Sequence, residues 1–197
     1  VALLHAAASR HEDAAAAMRL AVERDPNTPG RIALAVDMYE RAGDMHAAIA
    51  TLRRLIELEP DNEASHAGRI AEIASRAKDL DTAQQAAARL IELTPDSAHG
   101  YMLAADLHRR AGRDTDAVDT LRQGVRRNPR QPLLLAALAT RLTTTGQTTE
   151  AIDLTWRAYD AADDDYGKLR AADALAQLYI DAGRFDRFID MLRDRQS

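Results

Sequence analysis

Between Pro29 and Ala42 the apolar residues Ile32, Ala35, Val36 and Tyr39 recur three and four positions apart, the spacing of one helical face. Gly43 follows, suited to the left-handed backbone that ends a helix, and Asp44 is suited to cap the next one. From Ala48 a second stripe, Ile49, Leu52, Leu55 and Ile56, runs toward Pro60, which cannot continue a helix. The pattern predicts a pair of amphipathic helices joined by a tight turn. It then returns along the chain. Residues 54–61, Arg-Leu-Ile-Glu-Leu-Glu-Pro-Asp, are echoed at 89–96 by Arg-Leu-Ile-Glu-Leu-Thr-Pro-Asp, an offset of 35. Prolines at 26, 60, 95 and 129 are spaced by 34, 35 and 34 residues. Gly43, Lys78, Gly112, Gly146 and Gly183 mark the middle of successive units, and Ala14, Ala48, Ala83, Ala117 and Ala151 form a small-residue column. Three columns sharing one period identify a repeat protein.

These units resemble tetratricopeptide repeats, helix–turn–helix modules of about 34 residues. One unit matches the family pattern at Val36, Tyr39, Ala48, Leu52, Leu55 and Pro60, and another at Ala105, His108, Ala117, Leu121, Gly124 and Pro129. The first supplies Ala14, Met18, Ala21 and Pro26. The family's early tryptophan is absent throughout, and its first-helix glycine is usually alanine or valine. The resemblance implies an all-α, right-handed superhelical solenoid of antiparallel helix pairs. It places one array over residues 1–197, with units at 1–26, 27–60, 61–95, 96–129, 130–163 and 164–197. The first unit is expected to start part-way through its first helix. The last helix, near 185–195, keeps an apolar stripe of Phe185, Phe188, Ile189 and Leu192 with no polar helix after it. Arrays usually carry polar caps, so the chain is expected to be a window on a longer bacterial protein.

Composition narrows the function. Alanine supplies 41 of 197 residues, as stacked helices in close approach require. Zero cysteines exclude disulfides, thiolate zinc sites and cysteine nucleophiles, and suit the bacterial cytoplasm and periplasm equally. No apolar run reaches the roughly 18 residues of a membrane helix, so direct membrane insertion is not expected. Pentatricopeptide repeats have a similar period and bind single-stranded RNA, but a net charge of −5 and internally paired arginines oppose a nucleic-acid partner. Nucleophile elbows, zinc-helix motifs and phosphate or dinucleotide loops are all missing, and no cofactor or metal is implied. His66 and His99 begin adjacent units but are not read as a metal site. His108, in the family's tyrosine column, is read as a packing residue.

In tetratricopeptide arrays the first helix of each unit lines the concave surface that receives partners. By resemblance that face carries Asp37, Arg41, Arg69, Glu72, Arg76, His99, Asp106, Arg109 and Arg110. It continues through neutral Thr140, Thr143 and Thr144 to Arg170, Asp173 and Gln177. Asp37/Arg41, Glu72/Arg76 and Asp106/Arg110 each set acid four residues before base, so internal salt bridges are favoured over a ligand grip. Arg69 and Arg109 lack so obvious a mate and are the stronger ligand candidates. A chaperone-tail clamp is not expected, because the only lysines, Lys78 and Lys168, lie in a turn and near a helix start.

The fifth-to-sixth interval stretches to 37 residues, from Gly146 to Gly183, and most aromatics gather beyond it. Trp156, Tyr159, Phe185 and Phe188 are candidates for a C-terminal contact or end-to-end self-association, although filling a gap between splayed helices is the favoured explanation. The function expected is a non-catalytic scaffold binding a protein or peptide segment. The alternative is an accessory segment of a larger enzyme or of a polysaccharide-export or secretion assembly.

Overall fold

The computed structural model describes residues 2–196, with side chains described from Arg10 to Asp194. Those residues form eleven α-helices and no strand, an all-α chain of paired helices. It divides into two compact units, residues 1–94 and 95–197.

The first unit contains α1 (Ala2–Arg24), α2 (Pro29–Ala42), α3 (Met45–Leu58), α4 (Glu63–Arg76) and α5 (Leu80–Leu93), each packed on the next. α1 differs from expectation. It runs unbroken for 23 residues, with no turn before Ala14, because nothing between Ala6 and Ala17 offers a left-handed or helix-breaking position. The apolar stripes face inward as predicted: Ile32, Ala35, Val36, Ala48, Leu52, Ile73, Ala74, Ala83 and Ala87 are fully enclosed.

The second unit contains α6 (Ala98–Arg110), α7 (Asp114–Arg127), α8 (Pro132–Thr144), α9 (Thr148–Ala161), α10 (Asp165–Asp181) and α11 (Phe185–Gln196). α8 packs on both α6 and α7, then α9 on α8, α10 on α9 and α11 on α10. Leu107, Leu121, Leu134, Leu135, Leu138, Leu142 and Leu175 fill its core. The 37-residue interval resolves into α10, at 17 residues longer than α2 to α9, with Asp164 Oδ1 accepting a hydrogen bond from Gly167 N at its start.

The turn inside each pair is a repeated backbone device. Gly43, Gly112, Gly146 and Gly183 all have positive φ, and Lys78 adopts the same conformation at φ 62°. The residue after each donates its N–H back to a carbonyl five positions earlier, as from Asp44 to Tyr39 and from Gln147 to Leu142, both at 2.9 Å. Asp44 and Asp79 then accept from the backbone N–H three residues on.

Arginine's excess over lysine has a structural use. Arg89 forks onto Glu63 at 2.7 and 3.1 Å, tying the end of α5 to the start of α4. Arg54 reaches Asn27, Arg127 reaches Asp96, and Arg157 reaches the Pro129 carbonyl. A planar guanidinium supports the two-point grip of Arg89, which a lysine ammonium does not.

Candidate functional site

The first-helix face of the first unit is formed by α2 and α4. Arg69 on α4 donates through Nε to Glu40 Oε1 at 2.8 Å and through Nη2 to Asp37 on the same neighbouring helix. Arg76 donates to the other oxygen of Glu40. The expectation that Arg69 lacks a mate is therefore corrected: it bridges two carboxylates and staples one repeat to the next. The Asp37/Arg41 and Glu72/Arg76 pairs do not form. Arg41 and Glu72 are exposed and make no ion pair among the described residues. Glu40, which no i, i+4 pattern singles out, is the hub, its side chain 17% exposed.

In the second unit the corresponding face is formed by α6, α8 and α10. Asp106 does pair with Arg110, at 2.6 Å, as the spacing predicts, and also takes Arg109 at 2.6 Å. Burial alone would raise the Asp106 carboxyl, but the two guanidinium groups hold it below its ordinary value. Arg109 is thus mated too, to a neighbour three residues before it. His99 is exposed at the start of α6, its backbone N–H on Ser97 Oγ.

Between α8 and α10 lies a groove of about 400 Å³, with Thr155 and Ala158 of α9 also in its lining. Its walls are mostly small or apolar: Leu133, Ala136, Ala139, Ala171, Ala174 and Leu178. Thr140 and Thr143 donate their hydroxyl hydrogens to carbonyls of their own helix, both at 2.9 Å, and Thr144 does so at 2.7 Å. They therefore bring no free donor to the groove. Arg170 stands at one end with its guanidinium 6.0 Å from the Tyr166 ring centre, and Gln177 donates to Asp181 at the other. Asp173 is exposed outside the lining. A smaller cavity of about 200 Å³ lies between α6 and α8, lined by Met102, Ala105, Asp106, Arg109 and Arg141 among others. Thr140 lines both.

The C-terminal aromatics are largely structural. Trp156, Tyr179 and Phe188 are buried together, with ring centres of Trp156 and Phe188 6.0 Å apart and of Tyr179 and Phe188 5.7 Å apart. The Trp156 indole N–H donates to Tyr179 Oη at 3.2 Å. Trp156 and Phe188 are thus closed to a partner, as gap-filling predicts. Tyr159 packs against their cluster half-buried, and Phe185 alone of the four is exposed, at 42%.

His66 and His108 behave as packing groups. Nδ1 of His108 and Nε2 of His66 are enclosed without a hydrogen-bond partner, 3.9 Å from Asp116 and 3.6 Å from Glu59 respectively. No group of three or more metal-ligating side chains occurs among the described residues. No helix among them is long and apolar enough to cross a membrane.

Comparison with known proteins agrees with this geometry. Residues 32–62 and 69–132 each match a family model described as tetratricopeptide repeat. No curated protein matches the chain. Among solved structures it is similar to MamA, at 17% identity over 77% of this chain and 88% of that one, with a TM-score of 0.59. PilF of Pseudomonas aeruginosa is 16% identical over 94% of this chain and 84% of its own, TM-score 0.58. YrrB, described as a tetratricopeptide protein with an unusual peptide-binding site, is 14% identical over 87% and 88%, TM-score 0.56. At these identities the likeness is one of fold.

Proposed function

We propose that this chain, which belongs to the tetratricopeptide-repeat proteins, is a non-catalytic scaffold that binds a protein or peptide segment on its first-helix face, the face that is concave in such arrays. The observation that carries the proposal is the groove between α8 and α10, about 400 Å³ and walled by alanine, threonine and leucine. Space bounded by small apolar side chains on rigid helices suits the insertion of a partner's larger ones. Described as a peptide-binding protein, YrrB offers a precedent within the same fold.

A photo-crosslinking residue placed at Thr140, in the groove, and at Asp153, exposed on α9, separates the faces. Irradiation in cells followed by mass spectrometry should give a discrete polypeptide adduct at position 140 and none at 153. Adducts confined to position 153 would move the binding surface to the other face.

A further inference from the structure

Arg141 occupies a column of the repeat that is otherwise apolar. Counted five residues before each turn position, the column holds Met38, Ile73, Leu107 and Leu178. Ile73 and Leu107 are fully enclosed and Leu178 nearly so. Arg141 is half-buried, lines the cavity between α6 and α8, and its guanidinium meets no carboxylate among the described residues. Beside it Arg109 shares Asp106 with Arg110, so three guanidinium groups face a single carboxylate. A half-buried cation without a counter-ion is costly, and a ligand that brings one recovers that cost.

We infer that the partner is a segment carrying an acidic side chain just ahead of bulky apolar ones: the carboxylate seats on Arg141 beside Arg109, and the apolar side chains fill the groove between α8 and α10. The inference rests on the reading of this face as the binding surface. Thr140 belongs to both cavities, so the two subsites are contiguous. Neighbouring helices lie about 10 Å apart and an extended chain advances about 3.3 Å per residue, which separates the acid from the first apolar anchor by about three residues. The charge is assigned to an internal side chain of the segment, and peptides blocked at both ends test it as such.

The test uses acetylated, amidated, fluorescein-labelled decapeptides with a glutamate three residues before a phenylalanine–leucine pair. Control peptides replace the glutamate with lysine, or the apolar pair with serines. Anisotropy should show the glutamate peptide binding at least about tenfold more tightly than either control, the scale of one charge-assisted pair. Arg141→Leu restores the apolar type of the column, so it should keep the thermal midpoint while abolishing the preference for glutamate. Ala136→Trp, at an exposed groove alanine, should weaken the glutamate peptide about tenfold or more. If A136W blocks binding while glutamate and lysine peptides bind equally, the acidic subsite is wrong and the binding face stands. If the glutamate peptide binds unaffected by both variants, or does not bind at millimolar concentration, the inference is overturned. Crosslinking at position 140 then decides the fate of the face independently.

Discussion

The first-helix faces of the two units are built from opposite materials. In the first, Arg69 and Arg76 of α4 converge on Glu40 and Asp37 of α2 and are neutralised there. In the second, Ala136, Thr140, Thr143 and Ala174 stand back from one another and leave a groove. The more charged face offers a ligand less through Arg69 and Arg76, because a guanidinium taken by a ligand there first has to be released from its carboxylate. Useful space comes from small side chains, and useful charge from a cation that the fold leaves without a counter-ion, as it does at Arg141.

The largest effect should come from removing what holds α10 in place. Trp156 is enclosed by Tyr179, Phe188 and Leu175, so Trp156→Ala should destabilise the second unit by about 3–5 kcal/mol. Urea unfolding gives the magnitude. Hydrogen exchange should accelerate in α9, α10 and α11 and remain unchanged in α2 to α4; uniform acceleration would show that the units do not respond separately.

Arg69→Ala asks whether the ionic face is structural. Its side chain is 37% exposed, so screening limits the loss to about 1 kcal/mol. The midpoint should fall, and binding of the glutamate decapeptide should stay within twofold. A binding loss without a stability loss would reverse the roles given to the two faces.

How far these faces are legible from residue order depends on the range of the interactions. Helix pairs, turns and enclosed stripes follow local rules: the spacing from Ile32 to Tyr39, the glycines at positive φ and the aspartate caps each act within one turn or two. The partners of Arg69 do not. Glu40 and Asp37 lie 29 and 32 residues away, on another helix, and the i, i+4 rule looks only along one. Arg141 is an intermediate case. Its misfit with Met38, Ile73, Leu107 and Leu178 is visible once the columns are aligned, but its lack of a carboxylate is a property of the packed helices. The groove had the weakest signal, since alanine and threonine on a helix look neutral until their neighbours are known.

The turns provide a smaller contrast. Every turn within a helix pair of the second unit places glycine at positive φ, whereas α4 and α5 are joined through Lys78 at φ 62°. A side chain in this conformation costs about 1–2 kcal/mol, of which glycine's greater unfolded entropy returns about half. Lys78→Gly should therefore raise the stability of the first unit by about 0.5 kcal/mol, read as a shift in urea midpoint. A decrease would mean that the lysine side chain contributes contacts outweighing the strain.

The smallest expected effect is a pH dependence at His108, between α6 and the start of α7. Burial, reinforced by Arg113, lowers its pKa below the ordinary imidazole value of 6.5, and Asp116 only partly opposes this. The unfolded chain then binds the proton more readily than the folded one, so stability rises with pH through this window. The contribution is complete above about pH 6.5 and is lost as the pH falls toward the depressed folded value. Subtracting the thermal midpoints of His108→Leu from those of the parent between pH 7.5 and 5 isolates it from the carboxylates, which titrate in both proteins. The parent should lose more on acidification. An equal loss in both would show that the protonated Nδ1–H donates to a hydrogen-bond acceptor in solution, with water or a moved Asp116 completing the site.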